Sequence, residues 1–430
     1  MEKNKKIKVL NFNTYTEGGA ALAAIAFNDR LNQLGFQSKL MVYEKDILHE
    51  NVYEVPITSF SFWEKHVRRR SKRDWDKQKG RILSNTGFSG KISFSFDREL
   101  YSAKYLLEKA GFIPDIIIYH WITDFISIYN MHELSALSGA RSAWMMMDNA
   151  PFTGGCHYPF DCIEYRNSCS PCPLFKDDHA IPYQLLMKKK ELLPKDMYIV
   201  GTGGDCLRAK LSQCYEQEQI LHFLFPVDPE RFIPASSLLE VRSAFCLPVN
   251  KKVIFIGASD FGEERKGLGY LIAGLTLLRE RYHLLAKKTV LLIAGKNVPD
   301  IFLSLGYDVF SVGRLSEDDL IKAYQVSDLF LNSSTEDSGP LMINQAIMCG
   351  TPVVTFELGV AYDLVHTGKT GYRAKLKDPL DLAIGIAQIL SLSTVDADVY
   401  SKECRKLALS LTESIGISSL MNRIMSGKNK

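Results

Sequence analysis

The chain has no unbroken apolar run approaching the roughly 18 residues that a membrane-spanning helix needs, and its mean hydropathy is only −0.06. Its start, MEKNKKIKVLNFN, passes from charge straight into a strand-like run, without the apolar core of an export signal. The chain is therefore expected to stay in the cytoplasm. Net charge is nearly absent: 52 Lys and Arg oppose 49 Asp and Glu, leaving +3. That excess is too small for a general nucleic-acid binder, so no nucleic-acid partner is expected. Nine cysteines, an odd count without an export signal, do not make a disulfide framework. Internal repeats and low-complexity tracts are missing, which excludes solenoids and wholesale disorder. What remains is an ordinary globular composition, 46% apolar and 23% charged over 430 residues. That length suits two or three domains of roughly 150 to 200 residues each.

The first half alternates strand and helix. Ile7 to Phe12 is a short apolar run, followed by Gly18-Gly19 and an Ala-rich helix from Ala20 to about Leu34, stopped by Gly35. Lys39–Tyr43, Asp115–His120, Ser142–Met147 and Met197–Val200 read as further strands. Continuous apolar runs of this kind suit parallel strands covered on both faces. The stretch Pro226–Asn250 carries four prolines and no clear strand, and reads as a connection. A second series follows, with strands at Val253–Ile256, Val290–Ala294, Asp328–Leu331 and Val353–Phe356, and a closing helix over Lys402–Ile424. The expected architecture is α/β: two doubly wound units, residues 1–225 and 251–401, joined by 226–250, with 402–430 returning to the first. Ligands in such sheets sit beyond the carboxyl ends of the strands, so a central cleft faced by both units is the expected site.

Several segments carry candidate chemistry. In NSSTEDSGPLMINQAIMCGTPVVTF, Asn332 to Phe356, a strand runs into a loop holding Glu336, and a helix opens at Gly339-Pro340. Proline suits a helix start because the N–H it lacks has no partner there. The free amides of Leu341 and Met342 can then face a phosphate. A plain β-α-β turn with a capping carboxylate would look the same. In VIFIGASDFGEERKG, Arg265-Lys266-Gly267 precedes a helix, and a lysine there suits a diphosphate as well as it suits solvent. Gly18-Gly19 allow close approach to the backbone, or simply turn it. His120 and Asp148 end two strands. Cys156, Cys162, Cys169 and Cys172 fall within seventeen residues and can surround one structural zinc, or remain reduced thiols. Lys65–Arg81 holds nine Lys or Arg against two Asp, a surplus of 9 − 2 = +7. That run suits peripheral contact with an anionic membrane, or a solvated loop.

The segment from Glu336 through GTPVV, with Lys266-Gly267, Gly359 and HTGKTGYRA (366–374), resembles the family-four retaining glycosyltransferases. PFTGGCHY, 151–158, resembles the members that build bacterial surface polysaccharides, colanic acid among them. The resemblance implies the GT-B fold, two Rossmann-like domains, and retaining hexosyl transfer from a nucleotide-sugar donor to a glycan or lipid-linked acceptor. It implies no cofactor for catalysis, since protein cations take the place of a metal. Glu336 would hold donor sugar hydroxyls and Asn344 the ribose. Lys266, Arg265 and the amides after Gly339 would hold the diphosphate, with Gly18 and Gly19 beside the donor. Asp148 and His120 complete the catalytic set. The chain departs from the pattern at Asn344, where a second Glu is usual, at Met147, where a His is usual, and by lacking an Arg near Ala258-Ser259. A nucleotide-sugar epimerase and a non-catalytic sugar-nucleotide binder are the alternatives.

Overall fold

The computed structural model describes residues 6–55, 94–175 and 180–427, together with four isolated positions, 73, 76, 77 and 80. The basic run Lys65–Arg81 therefore lies, apart from those four positions, outside the described residues. The chain divides into two compact units. The first comprises Met1–Gly201, Asp205–His222 and Leu420–Lys430. The second comprises Thr202–Gly204 and Phe223–Ser419.

The first unit holds seven described strands: β1 (Lys8–Asn13), β2 (Gln37–Val42), β3 (Val52–Glu54), β4 (Ile116–Tyr119), β5 (Arg141–Met145), β6 (Tyr198–Gly201) and β7 (Ile220–His222). They lie in the order β3-β2-β1-β4-β5-β6-β7, every pair parallel. The order reverses between β1 and β4, where Val9 stands opposite Ile116 and Phe12 opposite Tyr119. Phe12, Tyr119, Phe125 and Tyr101 pack in one core. The helix after β1, Gly19–Gln33, buries Ala24, Phe27 and Leu31, and Gly35 takes a φ of 91 just beyond its end.

The second unit repeats the plan. β8 (Lys252–Asp260), β9 (Thr289–Lys296), β10 (Asp308–Gly313), β11 (Leu329–Asn332), β12 (Val353–Phe356) and β13 (Gly371–Ala374) form a parallel sheet in the order β10-β9-β8-β11-β12-β13. The unbroken apolar runs Val253–Ile256 of β8 and Leu329–Leu331 of β11, at its middle, are fully buried. The reversal falls between β8 and β11, and the crevice outside strand ends at such a reversal is where doubly wound sheets take ligands. The doubly wound expectation holds in both units.

Two elements differ from the sequence reading. The stretch 226–250 contains a helix, Leu238–Ala244, started by the Ser237 hydroxyl accepting from Glu240 N. The closing helix is two helices, Thr394–Ser414 and Ile417–Ser426. The break falls at Ile415-Gly416, where a side chain on Gly416 would lie 2.1 Å from the Thr412 carbonyl oxygen. From Leu420 onward the chain belongs to the first unit. There Arg141 donates to the carbonyls of Ile424, at 2.8 Å, of Met425, and of Gly427, at 3.3 Å. These are the carbonyls a helix end leaves unpaired, and a cation is favoured beside them.

Replacing Arg141 with alanine removes those donors. We expect Arg141→Ala to lower stability by about 1–2 kcal/mol, read as a lower urea midpoint. An unchanged midpoint would show that these contacts contribute nothing net.

Candidate functional site

In the first unit the candidate residues gather beyond the carboxyl ends of β1, β4 and β5. Asp148 is buried and fully engaged: Oδ2 accepts from Trp121 Nε1 and His157 Nδ1, each at 2.8 Å, and Oδ1 from Ala150 N at 2.8 Å. On the far side of the ring, His157 Nε2 lies 2.8 Å from Ser95 Oγ and 3.3 Å from Thr123 Oγ1, and those hydroxyls are 2.6 Å apart. A chain of hydrogen bonds thus runs from Asp148 through His157 to two hydroxyls. The glycines before His157 make this possible. Gly155, at φ 116, brings its backbone so close to the next segment that a Cβ would lie 2.5 Å from the Ser95 carbonyl oxygen. Met147, where the resemblance expects a histidine, is partly exposed.

His120 has a different character. It is 1% exposed, its Nε2 is 3.2 Å from Asn11 Oδ1, and Phe27 meets it edge-on. Burial pushes its pKa down to about 3, so it is a neutral core group at neutral pH. The Gly18-Gly19 pair caps the first helix, with open space where side chains would stand.

The four cysteines line a single cavity with Phe94, Tyr165 and Leu174. Gly154 N donates to Cys169 Sγ at 3.1 Å. Burial pushes the Cys169 thiol up to about 11, and burial likewise raises Cys156, Cys162 and Cys172. Zinc needs thiolates closing on one point. Among the described residues no group of three or more His, Cys, Asp or Glu side chains is placed to hold a metal ion. The four stand as free thiols on this cavity, Cys169 and Cys172 buried and Cys156 and Cys162 partly exposed.

The second unit brings its candidates together at the β8–β11 reversal. After β8, Glu264–Lys266 make a single 3₁₀ turn that Gly267 ends at φ 65, and the helix Leu268–Arg281 follows. After β11, the loop 333–340 leads into the helix Leu341–Met348, with Pro340 at its N-cap rather than inside its first turn. The two loops are sewn together. Thr335 N donates to Arg265 O at 2.8 Å, and Ser333 Oγ to Lys266 O at 2.9 Å. A Cβ on Gly267 would lie 2.1 Å from the Ser333 carbonyl oxygen, so only glycine fits this crossing.

The charges lie across the same seam. Lys266 Nζ is 2.7 Å and Arg265 Nη1 2.9 Å from one oxygen, Asp337 Oδ2. The other, Oδ1, accepts from Gly339 N at 3.3 Å, and Arg265 Nη2 also meets Glu263 Oε2 at 2.6 Å. Burial alone would raise the Asp337 pKa, but the Lys266 and Arg265 charges outweigh it and hold the carboxyl below its usual range. Glu336 is 1% exposed. Asn344, in the helix, donates from Nδ2 to Phe225 O at 3.1 Å, while its buried Oδ1 has no partner among the described residues. The hydroxyls of Ser334 and Ser338 are buried without partners in the same loop. These open polar atoms of the loop and helix are ones that a water or a polar ligand could pair.

Of the residues singled out in the sequence, Arg265, Lys266, Glu336, Gly339, Leu341, Met342 and Asn344 thus occupy two loops and one helix start of a single unit. Sequence reasoning missed Asp337, Glu263, Ser95 and Thr123. Asp337 had a signal, an acid next to Glu336 in a loop expected to meet phosphate, where repulsion calls for a reason.

Comparison with known proteins finds likenesses over part of the sequence and over the whole fold. Residues 250–392 match the sequence profile of the family described as glycosyl transferases group 1. A D-inositol 3-phosphate glycosyltransferase of Corynebacterium urealyticum is 25% identical over 278 residues, 61% of this chain and 63% of that protein. An uncharacterised glycosyltransferase of Methanocaldococcus jannaschii is 27% identical over 167 residues, 35% of this chain and 41% of that protein. The chain thus spans less than two thirds of the length of these relatives. Among solved structures, sucrose-phosphate synthase from Thermosynechococcus elongatus superposes with a TM-score of 0.67 at 15% identity, over 98% of this chain and 100% of that one. Anabaena HepE, solved with UDP and glucose, gives 0.65 at 13% identity over the same shares. The fold is GT-B, and the comparisons support the group 1 glycosyltransferase family.

Two outcomes test the seam. Gly267→Ala combines a left-handed backbone with a clash, and should lower stability by about 2–3 kcal/mol; a native melting curve would show that the loops can part freely. Because the Asp337 pKa is depressed, its stabilising contribution is complete above the unfolded value and is lost as pH falls through the folded one. The stability difference between the parent and Asp337→Asn should therefore hold at neutral pH and close below about pH 4. A gap that persists in acid would place its origin elsewhere.

Proposed function

We propose that this chain is a retaining glycosyltransferase that moves a hexose from a nucleotide-diphosphate donor to a glycan or lipid-linked acceptor. The observation that carries the reading is the convergence of Arg265 and Lys266 beside the Glu336 loop and the start of the helix Leu341–Met348. In such a reaction the diphosphate departs and positive charge grows on the sugar ring. Fixed cations and amides lower the barrier by stabilising the leaving group, because they need no reorganisation as charge develops. Arg265 takes the part of the arginine lacking near Ala258. Asn344 keeps its Oδ1 for a ribose hydroxyl and gives its donor to Phe225 O. Glu336 accepts from sugar hydroxyls. On the first unit, Asp148 is held for the acceptor side by Trp121 and His157, and His120 acts from the core by positioning Asn11.

The surface-polysaccharide role rests on PFTGGCHY, and the peripheral membrane role on Lys65–Arg81. Among the described residues no single helix is long and apolar enough to cross a membrane. UDP-glucose is the first donor to try, because HepE was also solved with it.

A thermal-shift panel of UDP, GDP, ADP and their sugar conjugates should raise the melting temperature for one base, since a ligand of the native state stabilises it by mass action. Lys266→Ala should lower transfer by on the order of 10² to 10³. Glu336→Ala should abolish transfer while leaving nucleotide binding largely intact. Transfer at the parent rate by a folded Glu336→Ala protein would remove this site from the chemistry.

A further inference from the structure

The groups assigned above to the donor diphosphate are already bound to an anion of the protein itself. One carboxylate, Asp337, takes Lys266 Nζ and Arg265 Nη1 on one oxygen and the Gly339 amide on the other. A second carboxylate, Glu263, holds the other side of the guanidinium. Two cations facing two carboxylates carry no net charge, and Glu336 adds a further negative group close by in sequence. A dianionic diphosphate therefore meets a set of donors whose attraction is already spent. The side chains of Lys266, Arg265 and Asp337 are only 15–19% exposed, so water screens this pairing weakly.

We propose that Asp337 is an internal stand-in for the diphosphate, an affinity-setting residue that leaves Lys266, Arg265 and the Gly339 amide when donor binds and returns to them when product leaves. The proposal rests on the glycosyltransferase reading of this site. Its chemistry is an exchange of anions: the carboxylate and a phosphate oxygen have the same donors to satisfy, and neither can be left buried with the cations unpaired. Exchange weakens donor binding, and it equally weakens retention of the spent nucleoside diphosphate. Asp337 thereby favours turnover over occupancy. Its neighbours in the loop suit a movable acid. Ser338 and Ser334 offer hydroxyls without partners, while Thr202 Oγ1 anchors the loop backbone at the Ser338 carbonyl, 2.7 Å away.

Titration calorimetry with inorganic pyrophosphate, then with UDP, GDP and ADP, on the parent, Asp337→Asn and Asp337→Glu tests this. Asparagine keeps an oxygen for the Gly339 amide and removes the competing charge. Asp337→Asn should bind pyrophosphate about tenfold more tightly, the order expected for one unit charge a few ångströms away in a part-screened site. Asp337→Glu should stay near the parent, and the inhibition constant for the product nucleotide should fall in Asp337→Asn alone. Should the asparagine variant fail to fold, Asp337→Ser makes the same charge change. Equal or weaker binding by a folded neutral variant, with the parent binding normally, overturns the exchange and makes Asp337 a clamp for the cations. Failure of every protein, the parent included, to bind pyrophosphate or any nucleotide removes the diphosphate site, and the proposed function with it.

Discussion

The plan of both units follows from strands that run parallel, with the central ones buried on both faces. A parallel neighbour cannot be reached by a tight turn, so each connection crosses over the sheet, usually as a helix. Loops that leave the carboxyl ends of the strands therefore collect along one edge, and where the strand order reverses two of them diverge and leave a crevice. The β8 and β11 loops are such a pair. Their meeting at Gly267 and Ser333 is a consequence of topology before it is a matter of chemistry.

Chemistry then uses what topology has gathered. A lysine and an arginine adjacent in sequence would repel if left together in a part-buried place. Asp337, from the other loop, gives them a common partner, and so the fold holds two like charges side by side. In the first unit the same economy governs Asp148. Three donors satisfy a buried carboxylate that would otherwise destabilise the fold severely. The two units solve one problem, an acid under cover, in different ways. Asp148 is surrounded mainly by neutral or ring donors, and Asp337 by full cations.

Much of this was legible in the chain, and the exceptions share a cause. The central strands were readable because burial on both faces demands continuous apolar runs, as in Val9–Leu10 or Val290–Ala294. The four strands that were missed, β3, β7, β10 and β13, are the outermost strands of the two sheets. An edge strand is short or half-wet, as in DVFSVG of β10, and lacks the pattern that marks its neighbours. Lys266 and Glu336 were singled out because their strings resemble a known signature, and the loops that carry them meet in space. The partnership of Asp337 was not, because an ion pair across 71 residues leaves no local trace. Spacing also grouped the four cysteines, and in space they line one cavity. His120 was placed correctly at a strand end, but whether a strand-end side chain looks outward or into the core is decided by packing against Phe27 and Asn11.

The segment that begins at Leu420 has a bearing on how the protein is born. It belongs to the first unit, yet roughly 200 residues of the second unit separate it from His222. At a synthesis rate of about 5–20 residues per second, that interval lasts on the order of 10–40 seconds. Through it the nascent first unit holds β5 with Arg141 exposed to whatever lies nearby, its carbonyl partners not yet made. The second unit is nearly whole before the first can close. The earlier-made half is thus the later-finished one, and a ribosome that stalls near residue 419 would leave it open.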